Sequence, residues 1–229
     1  IEDIKPSSRR YPYIDFKFER EIGNEVLTVQ NLTKKGVFEN VSFTVLKGEK
    51  IAFFSEQSTT TSALFDILAG KDTDYTGKVI WGKTITYSYL PKNYDNLFNN
   101  DLMLTDWLSQ FSKEKDITYL RSWLGRMLFS GEEAIKKANV LSGGEKVRCM
   151  FSKMMLEAGN VLIMDEPINH LDLESIQSLN NGMRNFKGCI LFTTSDQEIL
   201  STVANRIIVL NDKKEFDKQI SYDEYVTLN

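Results

Sequence analysis

Leu141-Ser142-Gly143-Gly144-Glu145, then Val161-Leu162-Ile163-Met164-Asp165-Glu166-Pro167 and Asn169-His170-Leu171-Asp172, is the stretch on which the fold turns. In its first part Ser142 and Glu145 stand at the spacing of a capping box, which starts a helix, while Gly143 and Gly144 permit a tight approach. The same start presents free backbone N–H groups and a serine hydroxyl at the positive end of a helix dipole, which binds phosphate without a side-chain cation. The two readings are compatible. In the second part four apolar residues place Asp165 and Glu166 at the carboxyl end of a buried strand, where the ligands of parallel sheets collect. An aspartate there holds Mg²⁺ directly or through water, and the adjacent glutamate orients or deprotonates an attacking water. The plainer alternative is two acids capping the next helix.

Upstream, the alternation in Val26-Leu27-Thr28-Val29 and Val41-Ser42-Phe43-Thr44-Val45 predicts two strands, the second ending at Gly48. The continuous apolar run Ile51-Ala52-Phe53-Phe54 predicts a strand buried on both faces. It feeds a polar loop, Ser55 to Thr60, and a helix from Thr61 to Leu68, the order that a phosphate-binding loop needs. Lys78 to Leu90 reads as a hairpin with Gly82 in its turn, and Leu102 to Lys137 as mostly helical. Downstream come a helix over 145–157, the strand 161–164, a helix over 173–185, the strand 189–192, a short helix from Asp196, the strand 207–210 and a last helix with Ser221 and Glu224 at capping-box spacing. The fold class is therefore α/β, a single core interrupted by a helical insert.

The chain has 229 residues, enough for one large α/β domain or two small ones, and its 41% hydrophobic content supports a core without disulfides. Cys149 and Cys189 both lie in apolar stretches and read as buried thiols of a reducing compartment. No apolar run reaches the ~18–20 residues that cross a bilayer, and the amino end lacks the basic-then-apolar order of a signal peptide, so a cytoplasmic chain is expected. A formal net charge of −4 gives no global attraction to nucleic acid. Residues 1–24, aperiodic and carrying Pro6 and Pro12, read as an extended linker rather than the start of a core.

These motifs, in this order, resemble the ATP-binding cassette family over nearly the whole chain. The signature motif falls on Leu141 to Glu145, the Walker B motif on Val161 to Glu166 and the D-loop on Asn169 to Asp172. The resemblance implies a cassette fold, a P-loop NTPase-like core sheet with an antiparallel β subdomain and an inserted helical lobe at about 93–140, all within a domain spanning 25–229. It implies ATP and Mg²⁺ as cofactors, with Asp165 and Ser62 holding the metal and Glu166 catalytic. Cassettes of the family pair head to tail, so Ser142, Gly143, Gly144 and Glu145 are expected to serve a nucleotide held by a different cassette, with His170 and Asp172 in contact across the dimer. His170 also has an ordinary reading as a polar loop histidine.

The family's phosphate loop, G-x-x-x-x-G-K-[ST], falls on Ser55-Glu56-Gln57-Ser58-Thr59-Thr60-Thr61-Ser62, and of its defining residues Ser62 alone remains. Ser55 and Thr60 replace glycines, and Thr61 replaces the lysine that neutralises the β- and γ-phosphates. Ser55, Gln57, Thr60, Thr61 and Ser62 still line the expected site, and a nest requires strain at Thr60 of about 1–3 kcal/mol. Weak nucleotide binding is expected on this side. Ser195 stands where the family has its switch histidine, and with Glu198 it has capping-box spacing of its own. Lys92 stands where the family often has a glutamine, and the loop between Leu32 and Val37 is too short to show an adenine-stacking aromatic.

Asp165 to Asp172 is close to the form typical of the ABC-F branch, soluble proteins with two cassettes in one chain. Lys5 to Pro12 resembles the stretch that joins those cassettes, and Leu124 to Gly131 the end of their helical lobe. The expectation is a second cassette that pairs with the other cassette of the same polypeptide or, as a fragment, with itself. A role at the ribosome in translation control is implied by the resemblance alone. Lys136, Lys137, Lys146, Arg148 and Lys153 around the signature helix offer RNA contacts or, at helical spacing among acids, a solvated face. Two competing classes remain: a nucleotide-independent docking module, and the ATPase subunit of a membrane transporter.

Overall fold

The computed structural model describes residues 11–228, so the part of the linker resemblance carried by Lys5 to Arg10 lies outside the described residues. In chain order the elements are β1 (Glu25–Lys34), β2 (Phe38–Leu46), β3 (Lys50–Phe54), α1 (Ser58–Leu68), β4 (Thr76–Trp81) and β5 (Tyr87–Leu90). The lobe follows, with α2 (Leu104–Ser109), α3 (Ile117–Arg126) and short 3-10 turns. Then come α4 (Gly143–Glu157), β6 (Val161–Asp165), α5 (Leu173–Asn185), β7 (Cys189–Thr193), α6 (Gln197–Val203), β8 (Arg206–Leu210), β9 (Lys214–Lys218) and α7 (Tyr222–Thr227).

Strand composition sorts the strands into two sheets. The alternating strands β1 and β2 pair antiparallel and, with β4, form a three-stranded sheet in the order β2-β1-β4. The mostly apolar strands β3, β6, β7 and β8 form, with edge strands β5 and β9, a six-stranded sheet in the order β5-β6-β7-β3-β8-β9, parallel except for the antiparallel edge strand β9. Because side chains alternate along a strand, each central strand feeds two cores. Leu162, Met164, Ile190 and Phe192 join the lobe, α4 and α5 on one face. Val161, Ile163, Cys189 and Leu191 join α1 and the antiparallel sheet on the other. Both cysteines are buried and free.

The hairpin expected over 78–90 does not form. β4 stays in the antiparallel sheet, while β5 crosses to pair in parallel with β6. The cause is Asn160, fully buried, whose amide accepts from Thr86 N at 2.9 Å and donates to the Thr84 and Arg20 carbonyls at 2.9 and 3.2 Å. Gly82 serves close approach instead of a hairpin turn, since a Cβ there would lie 2.4 Å from the Glu25 carbonyl oxygen. The described part of the expected linker carries no helix or strand before β1, yet Ile14, Phe16 and Ile22 are buried in the core. It crosses α5 where a Cβ on Gly182 would sit 2.8 Å from Ile14 Cγ2.

Candidate functional site

The expected phosphate loop is shorter in space than in sequence. Helix α1 begins at Ser58, with Gln57 as its N-cap, so it takes in Ser58, Thr59 and Thr60, which the sequence reading leaves in the loop. Thr60 is consequently helical, and none of residues 55–62 has a positive φ; the strain expected at Thr60 is absent. Several of the loop's polar groups are turned to protein partners. Ser55 Oγ donates to the Gln57 carbonyl at 2.8 Å, Glu56 N to Asn211 Oδ1 at 2.9 Å, and Thr60 N to the Gln57 carbonyl at 3.0 Å. Thr61, at the lysine position, is buried and donates its hydroxyl to the Ser58 carbonyl at 3.1 Å. Among the described residues the turn over 35–37 brings no aromatic to this site, and Phe38 beyond it is buried.

The metal side is better preserved. Strand β6 carries Asp165 to its carboxyl end, where Ser62 Oγ donates to Oδ2 at 2.5 Å and Thr193 Oγ1 to Oδ1 at 2.9 Å. Burial raises the Asp165 pKa, against the pull of the Ser62 and Thr193 hydrogen bonds. A hydroxyl and a carboxylate are hard oxygen ligands of the kind Mg²⁺ takes, so these two donors fit the ion. Among the described residues no group of three or more His, Cys, Asp or Glu is placed to hold a metal, so phosphate or water oxygens would have to complete the shell. The donors fit Mg²⁺, and the uncapped start of α1 offers helix-terminal amides but no lysine to neutralise phosphate.

Glu166 adopts φ 50°, with its N–H donating to Thr193 Oγ1 at 2.9 Å. Its carboxylate accepts from Asn169 Nδ2 at 3.3 Å and lies 3.6 Å from Lys92 Nζ. Lys92 in turn donates to Ser58 Oγ at 2.7 Å, at the first residue of α1. The sequence reading noted Lys92 as a replacement and gave it no role; Asn211, a polar residue just after a strand, left no signal at all.

The signature segment forms as expected. Ser142 caps α4: its Oγ accepts from Glu145 N at 3.2 Å, and Glu145 Oε1 accepts from Ser142 N at 3.1 Å, which completes the capping box. Burial would raise the Glu145 pKa, but hydrogen bonds from Lys136 and Ser142 hold it below its ordinary value. Gly143 and Gly144 are the first two helical residues, so their amides have no acceptor within the helix. Neither has a positive φ. Glycine suits these positions because a Cβ on Gly143 would lie 2.9 Å from His170 Nδ1, and one on Gly144 3.0 Å from the His170 carbonyl oxygen. His170 itself is exposed, at φ 67°. Asp172 caps α5 through Ser175 N at 2.8 Å, and the hydrogen bonds from Ser175 lower its pKa.

A cavity of about 540 Å³ joins the two parts, lined among others by Lys92, Asp165 and Glu166 and by Gly143, Lys146 and His170. Residues 55–62, Ser142 and Ser195 do not line it. Ser195 is exposed, and α6 is capped by the Asp196 carboxylate through Ile199 N at 2.8 Å rather than by the Ser195 hydroxyl. The basic residues near α4 are largely engaged: Lys136 pairs with Glu145, Lys146 with Asp95 and Lys153 with Glu157, and Arg148 donates to the Met127 carbonyl.

A mixed sheet with an antiparallel β subdomain, a helical lobe, strand-end acids and a glycine-led helix start defines an ATP-binding cassette. A family model described as ABC transporter matches residues 38–169, more than half of the chain, and the chain belongs to that family. Over 99% of its length it is 53% identical to the "Uncharacterized ABC transporter ATP-binding protein YkpA" of Bacillus subtilis, covering 43% of that protein. It is 30% identical over 84% of its length to the energy-dependent translational throttle protein EttA of Haemophilus influenzae, covering 36% of it. With the ABC transporter F family member 2 of Arabidopsis thaliana it shares 27% identity over 98% of its length, covering 33% of that protein. The chain thus spans less than half the length of these relatives. In three dimensions it matches a dimeric ATP-binding cassette in a post-hydrolysis state bound to ADP and Pi, with TM-score 0.67 and 15% identity over 85% of this chain and 98% of the other. Among the described residues no helix is long and apolar enough to cross a membrane.

Proposed function

We propose that the chain is an ABC-F type cassette that forms composite ATP sites with a second cassette and supplies the signature motif in trans, its own phosphate loop being degenerate. The observation that carries this reading is the contrast between the two ends of the site. The α4 start keeps its capping box and two unpaired glycine amides, the geometry that receives a phosphate. The start of α1 has its loop polar groups bonded to Gln57, Asn211 and Ser58. In the composite site Ser142 and the amides of Gly143 and Gly144 bind the terminal phosphate of the partner's nucleotide, and His170 and Asp172 lie at the junction. On this chain's own side Ser62 and Asp165 would hold Mg²⁺, an ion that neutralises phosphate charge, and Glu166 would orient the attacking water. Ser55, Gln57, Thr60, Thr61 and Ser195 contribute little there, so ATP and Mg²⁺ bind weakly.

The likeness to EttA, a translational throttle protein, and to an F family member supports the ABC-F assignment and a role in translation control; the family resemblance adds a partner cassette in the same polypeptide, the ribosome and the cytoplasm. The self-bonded loop also favours a second reading, a docking module that has abandoned nucleotide. Steady-state ATP turnover by the paired cassettes separates the two. Ser142→Arg places a long cation over the α4 start and should reduce turnover at least about a hundredfold, the scale of losing a phosphate-stabilising donor. Turnover unchanged by Ser142→Arg would leave the docking module as the better account.

A further inference from the structure

The segment between Glu166 and His170 is strained, and what holds it bears on the signature glycines. Glu166 and His170 are both non-glycine residues at positive φ, 50° and 67°. Each such residue is strained and persists only where its surroundings fix it. Glu166 is fixed by Thr193 on its amide and by Lys92 and Asn169 on its carboxylate. His170, though exposed, lies close against Gly143 and Gly144. Lys92 is the far anchor of this run, and its place is otherwise unexplained, because a cation beside the first residue of α1 sits at the positive end of that helix, where an anion is favoured.

We propose that Lys92 is a positioning residue: its ammonium bridges Ser58 and Glu166 where nucleotide and metal would act, and through Asn169 and His170 it sets the D-loop against the signature glycines. The α4 start is then held in its working position by this chain's own contacts. The inference rests on the reading that α4 serves a nucleotide in trans. The Lys92 and Glu166 side chains are 38% and 33% exposed, so the pair contributes little to global stability. Its effect belongs in local order.

Hydrogen–deuterium exchange on the 229-residue chain tests this. Lys92→Met should speed exchange about fivefold or more in residues 141–146 and 166–172, the scale of losing about 1 kcal/mol of local order, with little change in melting temperature. Lys92→Arg, which keeps the cation, should restore most of the protection. Exchange that stays unchanged in residues 141–146 would overturn the proposal, as would faster exchange throughout the chain with a lowered melting temperature in both variants. So would MgATP protection of residues 55–62 that is lost in Lys92→Met, since Lys92 would then be a phosphate ligand. These outcomes need no partner cassette, so they are independent of the Ser142→Arg result.

Discussion

Thr61 stands at the position of the family's phosphate-loop lysine, but its side chain is 3% exposed and turned back to the Ser58 carbonyl. The lost cation comes with a helix that begins at Ser58, three residues earlier than the sequence predicts, so that its first turn takes in expected loop residues. Restoring the lysine should not restore the site. Thr61→Lys would push an ammonium into the core and should lower stability by about 3 kcal/mol or more, read by chemical denaturation, without producing Mg-dependent binding of a fluorescent ATP analogue. Tight binding by that variant would mean that the loop reopens once its lysine returns. Gly143 and Gly144 teach a related lesson. They suit phosphate by leaving amides free, and they suit the fold by leaving room for His170, so the plain and the functional readings hold at the same atoms.

Among the elements, those governed by local pattern were legible. Helix α5 runs from Leu173 to Asn185 as its apolar period and the Asp172 cap require, and β6 and β7 fall where the apolar runs are. Elements governed by distant partners were not. The 78–90 segment looks like a hairpin until Asn160, 74 residues beyond Thr86, pulls the chain across to the other sheet. Strand β9 has only Phe216 to show apolar character among four charged residues, and the ion pair of its Asp217 with Arg206 of β8 holds it at the sheet edge. The lobe segment placed at 102–137 is helical only in pieces, α2 and α3 with 3-10 turns. In the site, the motif positions were readable from spacing, while the Lys92 contacts depend on where the lobe enters the core. The segment ahead of β1 did carry a signal in the alternation of Ile14, Phe16 and Phe18, hidden by the prolines and charges around it. Gly182→Val should displace that segment from α5, lowering stability by about 3 kcal/mol from the lost burial of Ile14 and Phe16 and exposing residues near 11–24 to limited proteolysis. An unaltered digestion pattern would show that the crossing tolerates a side chain.

Across the whole molecule a buried guanidinium helps to tie the two sheets together. Arg206 of β8 pairs with Asp217 through two contacts of 2.8 Å, reaches Glu49 at 3.1 Å and donates to the Thr44 carbonyl of β2 at 2.6 Å. Arg206→Met strands those carboxylates and should lower stability by about 3–5 kcal/mol. Burial alone would raise the Asp217 pKa, but hydrogen bonds from Arg206 and Lys214 outweigh it and hold the group below 3.8. The stabilisation is thus fully present above that value and is lost as the pH falls through the lower folded-state pKa. Denaturation midpoints of wild type and Arg206→Met should converge in acid; a constant gap down to low pH would contradict the pairing.

The division of labour between the two helix starts is tested most directly by a structure of the paired cassettes with bound MgATP. The terminal phosphate should lie about 3 Å from the Ser142 hydroxyl and the Gly143 and Gly144 amides, on a nucleotide whose other side rests on the second cassette. A nucleotide seated instead on residues 55–62 of this chain, with the start of α4 facing away from every phosphate, would contradict it.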